Sequence, residues 1–274
     1  LFFRIKYGDK MIFRILVLCF LFLSCAKGHK KPSYIYFKLE NDSIFVDLRN
    51  KEISTSFLKI KNLVTKKETI IDFKKPDTLT ILKFHQANID TVSILKNYTF
   101  LFSYGASSIK KYDTLYNYGL PFLKGKRYQV LQSQNGNFTH KGPVSKYAID
   151  FKMNIGQEVC AIREGLVVKV RSNSDESGSS KKYRNKANMI LVYHSDGTFA
   201  QYAHFKKNGV LVKKGDSINK GQIIGYSGNT GMSTEPHLHF VVYKPTSNGL
   251  VSIRYILDSI PTKKYTKGKY ANHN

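Results

Sequence analysis

His237 and His239 stand two residues apart in the run Pro236-His237-Leu238-His239-Phe240. Side chains alternate along a strand, so the two imidazoles share one face while Leu238 and Phe240 turn to the other, toward a core. Tyr147-Ala148-Ile149-Asp150-Phe151 sets a carboxylate inside an apolar run. A buried carboxylate needs a cation, a hydrogen-bond network or solvent; the plainer alternative is an Asp on an exposed strand position. His140 lies ten positions before Asp150, between Gly136 and Gly142-Pro143, which let the chain turn back. In Tyr202-Ala203-His204-Phe205 a further imidazole projects from a strand face, with apolar neighbours opposite.

These residue types suit metal-assisted hydrolysis. Two imidazoles and one carboxylate make a three-ligand set that leaves the fourth tetrahedral position of zinc open, as catalytic sites require. Water bound there ionises near pH ~7, and the metal polarises a carbonyl. A second pair of histidines can then act as general base and oxyanion stabiliser. Cysteine cannot supply the ligands: Cys19 and Cys25 fall near the N-terminus, leaving Cys160, flanked by Val159 and Ala161, as a small buried strand residue.

The elements that must position these groups read as all-β. Over residues 33–115, the runs Tyr34–Leu39, Ile44–Leu48, Phe57–Leu63, Thr78–Phe84 and Tyr98–Tyr104 are short, β-branched or aromatic, and separated by Asn, Asp, Lys and Pro. They suggest a small β-sandwich, with an immunoglobulin-like one among the options. His85 is read as structural or surface. The segment 117–122 serves as connector. Residues 126–258 form a second β block, with strand-like runs at Gln157–Ile162, Leu166–Arg171, Met189–Tyr193, Phe199–His204, Ile223–Tyr226 and His237–Tyr243. Ser172–Asn188 has no apolar periodicity and reads as a surface loop. The tail, 261–274, is polar and basic and is expected to be frayed. His194, in a His-Ser-Asp-Gly turn, reads as a turn residue; His29 and His273 receive no role.

The second block resembles the LytM/lysostaphin-type zinc metallopeptidases, which act on bacterial cell walls. The likeness is an ordered series: His140; Tyr147-Ala148-Ile149-Asp150-Phe151; Gly156-Gln157-Glu158-Val159; Gly165-Leu166-Val167; Ala187-Asn188-Met189-Ile190; His194-Ser195-Asp196-Gly197; Tyr202-Ala203-His204-Phe205; Lys220-Gly221-Gln222; Ser227-Gly228-Asn229-Thr230-Gly231; and Pro236-His237-Leu238-His239-Phe240. The resemblance implies a mostly antiparallel β peptidase domain over 126–258, with a groove for a stretched peptide. It implies one zinc ion per chain on His140, Asp150 and His239, with His204 and His237 as catalytic histidines. Of these two, His237 is favoured to take the proton from water and His204 to stabilise the oxyanion. It implies peptidoglycan as substrate. The chain departs from the common pattern in the longer spacing from His140 to Asp150, in Phe205, in Cys160 and in Glu235.

The chain of 274 residues has 44 Lys and Arg against 19 Asp and Glu, a net charge of +25. This excess suits anionic envelope polymers or a lipid surface, or is a generic basic surface. No helix-turn-helix, zinc-finger or aromatic RNA-binding motif accompanies it, so nucleic acid is not expected as a partner. Over residues 1–25, Arg4, Lys6, Lys10 and Arg14 precede the apolar run Ile15–Ser24, shorter than the ~20 residues a bilayer needs, as in a signal peptide. Phe22-Leu23-Ser24-Cys25 resembles a lipobox, with Cys25 as the site for a lipid anchor; an uncleaved N-terminal anchor is the alternative. Met11 is a more natural start than Leu1. An exported, envelope-located protein is expected. Gly215-Asp216 and Lys220-Gly221-Gln222 also occur in biotinyl and lipoyl carrier hairpins, but no Met-Lys attachment pair is present. The competing function is a non-catalytic wall-binding or regulatory module that activates another hydrolase.

Overall fold

The computed structural model describes residues 33–85, 89–109, 111–136 and 139–273. The leader and lipobox expected over residues 1–25 lie outside the described residues. No helix among the described residues is long and apolar enough to cross a membrane.

Six strands occupy the first block: β1 (Ile35–Glu40), β2 (Ser43–Asn50), β3 (Ser56–Asn62), β4 (Glu68–Phe73), β5 (Asp77–His85) and β6 (Tyr98–Tyr104). They pair antiparallel in two three-stranded sheets, β1-β2-β5 and β4-β3-β6. Alternate residues turn inward, so Ile44, Val46 and Leu48 of β2 meet Leu58 and Ile60 of β3 in one core, with Ile35, Phe73 and Ile94. Each such side chain removed from water contributes roughly 1.5–3 kcal/mol. Two elements escape the sequence reading: β4, whose Glu68-Thr69-Ile70-Ile71-Asp72-Phe73 lacks clean alternation, and α1 (Thr91–Asn97), too short to show helical periodicity. Asp90 caps α1 by accepting the Ser93 N–H at 2.6 Å, and Ile94 anchors it to the core. Among the described residues the three-plus-three arrangement also differs from the immunoglobulin constant-type pattern, whose two sheets are unequal.

The second block is built on one large sheet. Its strands are β7 (Arg127–Gln132), β8 (Ile149–Lys152), β9 (Gly165–Arg171), β10 (Asn188–Tyr193), β11 (Phe199–Val210), β12 (Ile223–Ser227), β13 (His237–Thr246), β14 (Gly249–Ser252) and β15 (Tyr270–Asn272). The order is β9-β10-β11-β13-β8-β7-β15, every neighbouring pair antiparallel. β12 pairs with β11 and β14 with β13. One face packs on the main core through Ile149, Phe151, Ile190, Val192, Tyr202, Leu238, Phe240 and Val242. The other carries Met189, Leu191, Phe199, Ala203, Val241 and Tyr243 as a second apolar layer.

The C-terminal tail differs from expectation. β15 pairs with β7, Tyr265 and Ala271 are buried, and the Tyr265 hydroxyl donates to the Leu257 carbonyl at 2.9 Å. The polar composition is that of an edge segment: a few apolar side chains suffice once the backbone completes the ladder of β7. The segment 172–188 is likewise more ordered than a plain loop. Ser177–Gly178 pairs in parallel with Gly231–Met232, and Lys181–Lys186 forms a short 3-10 helix. The two blocks touch where Tyr104 meets Phe199 and the Thr55 hydroxyl meets the Tyr193 hydroxyl at 3.3 Å. Lys214 and Glu52 add an ion pair at 2.8 Å.

Candidate functional site

Three adjacent strands bring Gln132, Asp150 and His239 side by side on the second face of the large sheet, because the registers pair Gln132 with Asp150 and Asp150 with His239. Strand alternation keeps Leu238 and Phe240 in the core and turns His237 and His239 outward, as the sequence pattern requires. His140 enters from the loop between β7 and β8. Each of His140, Asp150 and His239 offers one ligand atom, and the three lie within 4.8 Å of one another.

The hydrogen bonds define the chemistry of this cluster. His140 Nδ1 lies 2.8 Å from the Ser133 carbonyl oxygen. A carbonyl only accepts, so Nδ1 carries the proton and Nε2 the lone pair. That lone pair is buried without a hydrogen-bond partner and faces Asp150 Oδ2 at 3.2 Å. Two acceptors in that position repel unless a proton or a metal cation lies between them; burial opposes protonation, but Asp150 holds the His140 imidazole above its usual range. His239 Nδ1 meets the other carboxylate oxygen, Oδ1, at 2.8 Å, and Gln132 Nε2 donates to Oδ2 at 3.3 Å. Burial alone would raise the Asp150 carboxyl, but the flanking His239 and His140 override it and hold it well below the usual range. Burial pushes the His239 imidazole down against the pull of Asp150. Zinc bonds of about 2.0–2.2 Å place tetrahedral ligand atoms roughly 3.3 Å apart, close to the separations here. The donor set fits a divalent cation.

His204 and His237 form the second pair, ring centroids 4.4 Å apart, with His204 5.9 Å from His239. His237 Nδ1 donates to the Glu235 carbonyl at 2.8 Å and approaches the Ser233 hydroxyl at 3.1 Å. His204 Nδ1 donates to the Thr230 carbonyl at 2.5 Å. Burial, reinforced by His237 and His239, pushes the His204 imidazole down to about 3, so it is neutral. Its backbone is unusual: φ is +74° at a non-glycine residue, which costs roughly 1–3 kcal/mol. The reason is a bulge. β10 pairs Met189 with Ala203 and Asn188 with Phe205, so His204 is the surplus residue. Simple alternation, as read from Tyr202-Ala203-His204-Phe205, would put Ala203 and His204 on opposite faces. Instead both line the groove, while Tyr202 and Phe205 enter the core.

A groove of about 650 Å³ runs past four of these five side chains, with His140 buried behind them. Its walls come from residues 131–243; among the described residues, no side chain of the first block lines it. Asp150, His204, His237 and His239 line it directly, and Lys141, Lys181 and Arg184 add positive charge. These three basic groups have no acidic partner among the described residues, whereas Asp150 is held by the histidines and Glu235 faces Lys152 at 3.9 Å.

Most of the sequence that lines this groove matches a known family. The sequence model for Peptidase family M23 matches residues 144–251. Lysostaphin of Staphylococcus staphylolyticus is 43% identical over 95 residues, 34% of this chain and 18% of that protein. The catalytic domain of lysostaphin from Staphylococcus simulans is 34% identical and covered over 85% of its length by 50% of this chain, with a TM-score of 0.29. The chain belongs to peptidase family M23. Among family members, the peptidoglycan DD-endopeptidase ShyA of Vibrio cholerae is 35% identical over 117 residues, 42% of this chain and 24% of that protein. The chain thus spans about a quarter or less of the length of these two M23 proteins.

Sequence reasoning left several residues of the candidate site without a role. Gln132 touches Asp150, Ser133 fixes the His140 ring, Ser233 touches His237 and Thr230 holds His204. Gln132 acts across 18 positions, Ser133 and Thr230 act through backbone carbonyls, and Ser233 acts through its hydroxyl at four positions; residue type reveals none of these contacts. The His194 imidazole, read as a turn group, is fully buried, with Nδ1 2.8 Å from the Glu164 carbonyl oxygen. Cys160 is buried in a strand, and burial raises its thiol to about 11.

Proposed function

We propose that this chain is an exported zinc metalloendopeptidase that hydrolyses peptide bonds of bacterial peptidoglycan. The observation that carries the reading is the meeting of His140, Asp150 and His239, with the His140 Nε2 lone pair buried, unpaired and aimed at Asp150. Those three residues would hold the zinc ion. When bound, the ion supplies Lewis acidity toward water and toward the carbonyl of the scissile bond.

The remaining roles follow from the tautomers. Both His204 and His237 spend Nδ1–H on a backbone carbonyl and present Nε2 as an acceptor. His237 lies at the groove rim, half-buried, where it can exchange a proton with solvent; it takes the proton of the attacking water and returns it to the leaving amine. His204 is buried and neutral, a poor base at neutral pH. Its bare Nε2 accepts a hydrogen bond and so orients the water. This revises the oxyanion role expected for His204, which would need a second proton that burial opposes.

Lysostaphin and ShyA, the two relatives, support a cell-wall substrate. The unpaired Lys141, Lys181 and Arg184 suit carboxylates, which stem peptides carry and a neutral glycine bridge lacks. The test is digestion of purified peptidoglycan with and without a strong chelator, followed by mass spectrometry of the fragments. New peptide ends should appear in the untreated sample alone and come from carboxylate-bearing stems or cross-links. Equal release in both samples overturns the metal-dependent mechanism, and release in neither overturns the enzyme reading in favour of a non-catalytic wall module. Cleavage confined to neutral bridges removes only the role of the basic groups.

A further inference from the structure

The bulge that delivers His204 to the groove is held by Thr230 and Asn188, which do not line the groove. We propose that Thr230, supported by Asn188, is the positioning residue that sets both the direction and the tautomer of the His204 ring. This rests on the proposed role of His204.

Thr230 grips the bulge twice. Its hydroxyl donates to the Phe205 carbonyl at 2.7 Å and accepts the Asn188 N–H at 2.9 Å, which fixes the backbone just after the surplus residue. Its own carbonyl accepts the His204 Nδ1–H at 2.5 Å, which fixes the ring. Asn188 completes the clamp. Its Nδ2 lies 3.2 Å from both the Phe205 and Lys206 carbonyls and 2.8 Å from that of Ser174, while its Oδ1 accepts the Ser174 N–H at 3.0 Å. Asn188 is fully buried, and Thr230 is nearly so.

The loop that carries Thr230 is seated with no room to shift. A Cβ on Gly228 would lie 2.6 Å from Lys206 Cα, and one on Gly231 would lie 2.6 Å from the Ala187 backbone nitrogen. Close backbone approach on both flanks fixes where the Thr230 carbonyl points. Without the clamp, the strained left-handed backbone at His204 has no compensating contact, and ordinary alternation would swing the imidazole toward the core. Because a carbonyl can only accept, the clamp also puts the His204 proton on Nδ1 and leaves Nε2 bare toward the groove.

Nitrogen NMR of the histidine rings in the zinc-loaded full chain reads the tautomer directly. His204 should be protonated at Nδ1; protonation at Nε2 overturns the proposal, whatever the variants do. Thr230→Val removes the hydroxyl and keeps the shape. Zinc content should stay at the wild-type level while kcat on a wall-peptide substrate falls by about 10–100-fold, the usual cost of losing such a supporting partner. KM should change by less than about two-fold, because ground-state binding is untouched. Thr230→Ser, which retains the hydroxyl, should recover most of the loss. A Thr230→Val enzyme as fast as wild type, or a Thr230→Ser enzyme as slow as Thr230→Val, overturns the proposal. His204→Ala separates this inference from the function it rests on. Normal turnover by His204→Ala overturns the role of His204 and the clamp with it. Lost turnover there, with full activity in Thr230→Val, overturns the clamp alone.

Discussion

At the residue scale, what distinguishes the five site residues is the state of each ring nitrogen. His140 donates its Nδ1–H to the Ser133 carbonyl and is left with a buried lone pair opposite a carboxylate, an arrangement that a cation between the two would satisfy. His237 has the same kind of backbone anchor but lies at the rim, away from Asp150. Their substitutions should therefore separate. His140→Ala and His239→Ala should lose bound zinc and wall hydrolysis together. His237→Ala should keep its zinc, measured by elemental analysis, while turnover falls by about 10²–10⁴-fold, the usual worth of a general base. Wild-type hydrolysis by His237→Ala would show that the base is another group.

At the element scale, the site depends on a strand that breaks its own alternation and on a loop wedged against it. Gly231 has φ +87°, and a Cβ there would lie 2.5 Å from Ala187 Cβ and 2.6 Å from its backbone. Gly231→Ala combines a left-handed backbone with an overlap that flexible side chains cannot relieve. It should destabilise the fold by about 2 kcal/mol or more, measured by denaturant unfolding. Gly215 also has positive φ, at +101°, but open space around it; Gly215→Ala should cost about 1 kcal/mol, the backbone contribution alone. Equal losses in the two variants would mean that the wedge against Ala187 adds nothing.

At the scale of the whole molecule, part of the pH dependence of stability comes from a group outside the groove. Burial pushes the His194 imidazole down to about 4, while its Nδ1 is held by the Glu164 carbonyl. In the unfolded chain the same group titrates near ~6.5, so on acidification the unfolded state takes up its proton first. The contribution of a neutral His194 is therefore complete above about pH 6.5 and lost as the pH falls toward about 4, amounting to roughly 3 kcal/mol. Denaturant unfolding at pH 7 and pH 4.5 should show a smaller loss for His194→Asn, which keeps a donor toward Glu164 but cannot ionise. Equal losses in the two proteins would place the acid sensitivity elsewhere.

Much of this was legible in the sequence because it is local. Period-two alternation in Pro236-His237-Leu238-His239-Phe240 fixes which side chains enter the core, and the ordered motifs from His140 to Phe240 point to the family. What residue types and short-range spacing cannot carry was decided by tertiary structure. The meeting of His140, Asp150 and His239 depends on the registers of β7, β8 and β13 and on the loop that returns His140 to them. His204 reaches the groove only through a bulge, held by partners far along the chain: Asn188 to the Phe205 carbonyl, 17 positions away, and Thr230 to His204 itself, 26 positions away. The polar tail is ordered for a similar reason, because β7 offers an unpaired edge that only the assembled sheet creates. Alternation is a property of one strand; register, bulges and edges are properties of pairs, and a pair exists only once the chain has folded.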